Sequence, residues 1–150
     1  MTDDARDPKL FTLTEAERIR AEVEPLLIEA IELGRKIADV DGQLQEAAQR
    51  IAMLGGALVT RGPLEKLRDE QERLHLAIRN ALARIEATGC VVKDLDVGLL
   101  DFPAVINDEE VYLCWRLGED RIRFYHRQDE GFDGRKPLDP RGPGPTPPVH

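Results

Sequence analysis

The residues best suited to chemistry lie in the last third of the chain. Cys90, Cys114 and His126 offer three ligand atoms of the kind zinc takes, and Asp101 offers a fourth. No CxxC or HxxH spacing accompanies them, so two buried free thiols and a packed histidine are the preferred reading. His126 stands close to Asp129 and Glu130, and a carboxylate beside a histidine is how a general base is oriented. Cys114 with His126 has the composition of a thiolate pair. If Arg121 to His126 is one strand opposite Val111 to Arg116, alternation sends Cys114 and His126 to opposite faces, which argues against a dyad. Asp94, Asp96 and Asp101 form an acidic group without the spacing or loop glycine of an EF-hand. Turn formation and ion pairs with Lys93, Arg116 and Arg123 explain it better. The glycines around Phe132 do not lead from a strand into a helix, so they form no phosphate loop. A ligand site, if the chain has one, would use Lys93, Asp94, Asp101, Arg116, His126, Glu130 and Arg135, in a cleft between a sheet and the start of the first helix. No residue is assigned a catalytic or metal-binding role, and no cofactor is expected.

The elements that must hold these residues are of two kinds. From Ile19, apolar residues recur at Val23, Leu26, Ala30, Leu33, Ile37, Val40, Leu44, Ala47, Ile51 and Leu54, in alternating steps of four and three. That is a heptad stripe, which predicts one long helix with coiled-coil patterning. Thr14 with Glu17 is a candidate capping box for its start. Pro25 keeps the stripe in phase and is read as a kink within a continuous helix, with a fresh start at Pro25 as the alternative. Gly55-Gly56 ends the helix, and Gly62-Pro63 opens a second one. Its stripe runs Leu64, Leu67, Gln71, Leu74, Ile78, Ala81 and Ile85, and Gly89 closes it. The short connection folds the two helices into an antiparallel hairpin. His75 lies one residue past the second stripe and reads as a solvated or boundary residue.

After Gly89 the period changes from helical to alternating. Cys90 to Val92, Leu99 to Phe102, Val111 to Arg116 and Arg121 to His126 read as short strands, separated by turn signals at Gly98, Pro103, Asn107-Asp108 and Gly118 to Asp120. On that alternation Val111, Leu113, Trp115, Ile122 and Phe124 share one face, and Tyr112, Cys114, Arg116, Arg123 and Tyr125 the other. The fold class is therefore α+β: a helical hairpin over 14–88, then a small antiparallel β module over 90–136, within one domain spanning 11–138. Residues 1–10 and the tail at 139–150 are expected to be disordered, since six of the ten prolines crowd between Pro137 and Pro148.

Helix lengths leave something over. A first helix of about 40 residues spans ~60 Å, and a second of about 24 spans only ~36 Å. Ile19, Val23 and Leu26 then lack a partner, and an aliphatic stripe of that kind does not stay bare. The strand face bearing Trp115 is the obvious cover, with Trp115 buried near Ile19, Val23 and Leu26 or Leu27. A second copy of the chain is the other cover.

Four blocks of the second half also resemble a known family. Gly89-Cys90-Val91-Val92-Lys93-Asp94 is similar to a family block of GC, a hydrophobic pair, then K and D. Gly98 to Pro103, Val111 to Arg116 with Gly118-Glu119, and Tyr125-His126 with Glu130-Gly131-Phe132 and Gly134-Arg135 resemble the blocks that follow, although the family often has tryptophan where Tyr125 stands. Over residues 11–138 the chain thus resembles the bacterial domain of unknown function 2203 family. The resemblance implies a helical hairpin with a C-terminal β-containing module and carries over no catalytic role.

Composition narrows the partners. A net charge of −8 with 33% charged residues repels phosphate backbones and anionic lipid, so neither nucleic acid nor a membrane is expected. No apolar run is long enough to span a bilayer, and the N-terminus carries no signal-peptide pattern. Two cysteines make no disulfide framework and point to the cytoplasm. The expected function is that of a non-enzymatic interaction or scaffold protein, homodimeric or bound to a protein partner through its hairpin. A small-ligand- or metal-binding domain, with or without catalysis, is the alternative. Convergence or scatter of the seven polar residues discriminates the two.

Overall fold

A threonine followed three residues later by a glutamate occurs twice near the start of the chain, and the first instance opens the long helix. In the computed structural model, which describes residues 9–55 and 61–138, α1 spans Leu13–Met53. Thr12 is its N-cap: the Thr12 hydroxyl accepts from Glu15 N, and the Glu15 carboxylate accepts from Thr12 N, both at 3.1 Å. The cap thus lies two residues before the expected Thr14. The shift buries Leu13 and places Phe11 against the sheet, where its ring meets Phe102 edge-on at 5.4 Å. Pro25 lies inside α1, which neither ends nor begins there.

The second helix, α2, spans Arg61–Glu86. Gln71 Nε2 donates to Asp41 Oδ1 at 2.7 Å, and Ile78 lies beside Gly34, so α2 runs antiparallel to α1. Gly89, at φ +97°, closes α2, with its N–H on Glu86 O. No helix among the described residues is long and apolar enough to cross a membrane.

Five strands follow as an antiparallel meander in chain order: β1 (Val91–Asp94), β2 (Leu99–Ile106), β3 (Glu109–Arg116), β4 (Phe124–Arg127) and β5 (Lys136–Pro137). Asn107 and Asp108, at φ 52° and 64°, make the two-residue turn between β2 and β3, the geometry that matches strand twist. Pro103, expected as a turn, sits buried inside β2. A proline is tolerated there because β1 has already ended, and Pro103 O accepts from Phe11 N at 2.7 Å on that side. The β1–β2 register slips between Val92 and Asp94, a bulge at Lys93.

One face of the sheet covers the start of α1, as the helix lengths predict. Leu100, Phe102, Val111, Leu113 and Trp115 share a core with Leu13, Ala16, Ile19, Val23 and Leu27 of α1 and Ile85 of α2. Trp115 is completely buried; its indole N–H donates to Glu119 O at 3.0 Å, and the Arg20 guanidinium lies 5.4 Å from its ring. The proline-rich tail at 139–150 and the N-terminal residues up to 8 lie outside the described residues.

Candidate functional site

The Asn107-Asp108 turn fixes what each β2 residue faces. Counting outward from it, Asp101 stands opposite Cys114 and Pro103 opposite Tyr112. These residues alternate with the core residues Leu100, Phe102, Leu113 and Trp115, so they occupy the face of the sheet turned away from α1. Strand β4 completes the group. Its register sets His126 opposite Tyr112 and Phe124 opposite Cys114.

That register corrects the expected alternation. Leu117 to Arg123 connect β3 and β4 outside the ladder, and Ile122 reaches the core from this connection rather than from a strand. The ladder begins at Phe124, one position out of phase with the expected continuous strand. A slip of one residue exchanges the faces. Phe124 and His126 therefore share the face of Cys114, while Tyr125 packs against the core. Cys114 and His126 are therefore not separated by the sheet, contrary to the expected alternation.

Asp101, Cys114 and His126 meet with their ligand-type atoms within 4.8 Å of one another, and all three are buried. His126 Nε2 lies 3.1 Å from Asp101 Oδ2. His126 Nδ1 lies 2.9 Å from Arg127 O, and a carbonyl only accepts, so Nδ1 carries a proton. One further proton must then sit between Nε2 and the carboxylate for that contact to be a hydrogen bond. Asp101 Oδ1 is buried and has no hydrogen-bond partner among the described residues. Burial raises the Asp101 carboxyl above the usual carboxylate range, against the opposing pull of His126 and Lys93. Burial, reinforced by the Asp101 charge, pushes both the Cys114 and Cys90 thiols up to about 12. Thiols of that kind are not nucleophiles at neutral pH, which removes a thiolate–imidazole pair as the chemistry of this cluster.

The other expected site residues disperse. Glu130 closes a local turn, accepting from Arg127 N at 2.9 Å and from Lys136 Nζ at 2.8 Å. Asp94 accepts from Asp96 N at 3.0 Å within the β1–β2 turn, and Lys93 is exposed at the bulge. Arg116 is exposed at the end of β3, where its backbone N–H donates to Glu119. Arg135 pairs with Glu119 at 2.7 Å and stacks over Phe124 at 4.0 Å, on the same face as Cys114. Of the seven, Asp101 and His126 meet directly. The cleft expected between sheet and α1 is filled by the apolar core. A surface groove of about 230 Å³ beside the middle of α1 is lined by Ile31, Gly34, Arg35, Ala38, Leu95 and Asp96, and none of the seven lines it. Cys90 packs in the core rather than with the cluster.

A family model described as an uncharacterized conserved protein, DUF2203, matches residues 9–138. No curated protein and no solved structure matches the chain.

Proposed function

The chain belongs to the DUF2203 family, and from that premise we propose that it is a non-enzymatic interaction protein that associates through its helical hairpin, as a homodimer. One observation carries this reading. Beyond the sheet the hairpin is a single layer: Val40 and Leu74 are sealed between the helices, but Leu33, Ile37, Leu44, Ala47 and Ile51 of the same stripe are only half-buried, whereas Val23, Leu27 and Ala30 beside the sheet are sealed. Leu76 is 56% exposed on α2. A second hairpin would complete the layer as in a four-helix bundle. The dispersal of the seven polar residues supports the same reading, since a small-ligand site needs them to converge. An acidic surface and buried free thiols fit a cytoplasmic protein that avoids nucleic acid.

Light scattering at micromolar concentration tests this. The wild-type chain is expected at twice its 16.9 kDa mass. Leu76→Asp should return it to the monomer without loss of helical circular dichroism, because Leu76 lies outside the hairpin seam. A wild-type chain that stays monomeric at high concentration removes the homodimer.

A further inference from the structure

We propose that Asp101, Cys114 and His126 form a binding site for one divalent transition-metal ion, zinc by its ligand chemistry, on the face of the sheet turned away from the helices. The three side chains supply one oxygen, one sulfur and one nitrogen, a set that matches zinc's preferences. They come from three adjacent strands, so the sheet itself fixes their spacing. Tetrahedral zinc with bonds of 2.0–2.3 Å places ligand atoms about 3.3–3.8 Å apart. The three here are within 4.8 Å of one another, close enough for small side-chain adjustments to complete the coordination. The fourth position falls to water, since Cys90 is packed in the core.

Two details distinguish this cluster from an ordinary buried aspartate–histidine pair. Such a pair satisfies Asp101 Oδ2 and leaves Oδ1 sealed from water without a well-formed hydrogen bond; the Cys114 thiol beside the carboxylate is a weak donor, and a cation supplies what Oδ1 lacks. The Arg127 carbonyl holds a proton on Nδ1 and aims Nε2 into the cluster. A hydrogen bond of that kind from the non-ligating nitrogen orients most metal-bound histidines. The charges also balance. Without metal, the cluster holds a thiol proton and one proton between Nε2 and the carboxylate, and its sum is zero. A divalent ion replaces both protons, which leave to solvent, and the sum stays zero. The buried cluster therefore need not carry net charge in either state.

All three side chains are sealed, so metal should be supplied during refolding as well as to the native chain. Zinc analysis is expected to find one equivalent per chain after removal of free metal. Cobalt in its place should give a thiolate-to-cobalt charge-transfer band in the near ultraviolet. Cys114→Ser should abolish that band, and Asp101→Asn should lower zinc affinity by at least about 100-fold, with Trp115 emission reporting that each variant is folded. Substoichiometric zinc, or a folded Cys114→Ser chain that binds as well as wild type, overturns the proposal. Should the variants fail to fold, the wild-type cobalt spectrum decides: absence of the thiolate band overturns it. These outcomes are independent of whether the chain dimerises.

Discussion

Glu17 Oε2 accepts a 2.8 Å hydrogen bond from Ile122 N, joining the first turns of α1 to the β3–β4 connection across 105 positions of sequence. The other carboxylate oxygen holds Arg20 at 2.8 Å, and Arg20 in turn lies over Trp115. Glu17→Ala therefore removes a charged acceptor from a partly buried backbone N–H. A loss of about 1–3 kcal/mol is expected, measured by chemical denaturation. A loss within error would show that this contact does not help to dock the sheet.

Trp115 reports the docking itself. Its emission should be blue-shifted and poorly quenched by acrylamide, because the ring is completely buried. Leu27→Ala, at another fully buried core position, should cost about 2–5 kcal/mol. Val23→Asp should shift the emission to the red, since it puts a carboxylate into the core that Trp115 shares.

Glycines separate into two groups by what surrounds them. At Gly98, φ is +73° and an added Cβ would sit 2.6 Å from Leu117 Cβ, so Gly98→Ala should cost about 1–3 kcal/mol or more. Gly42 lies within α1, and an added Cβ there meets nothing within 4 Å. Gly42→Ala should stabilise by up to about 1 kcal/mol. Melting temperatures of the two variants should therefore move in opposite directions.

Both cysteines should resist thiol reagents in the folded chain. With thiols pushed up to about 12, roughly one in 10⁴ is thiolate at pH 8, and both are buried. Two thiols per chain should react once denaturant is added. Rapid reaction of either in the folded state would contradict the packing around β1 or β3.

The helices were legible because each rests on a long periodic stripe that no single residue can spoil. The start of α1 was less so. Thr12 to Glu15 and Thr14 to Glu17 are overlapping capping boxes, and helix propensity does not choose between them. The sheet chooses, by taking Phe11 and Leu13 into its core and Glu17 onto Ile122. The Asn107-Asp108 turn contained the β2–β3 register, so the pairing of Asp101 with Cys114 could have been counted from it. No comparable turn sets β4. Ile122, Phe124 and His126 alternate like one strand, yet Ile122 lies in the connection. That one interruption hid the cluster, because a slip of one residue changes which side chains meet.

Lys93 and Asp94 have a use that needs no ligand. They stand at the bulged margin of the sheet, and the opposite margin among the described residues is the two-residue Lys136-Pro137 strand. A bulge with charges on one side, and a lysine beside a proline that lacks an N–H on the other, are poor templates for an incoming strand. Templated, amyloid-like growth is thus discouraged at both sides of the sheet. The proposed dimer would therefore rest on the helices, where side chains rather than backbone select the partner.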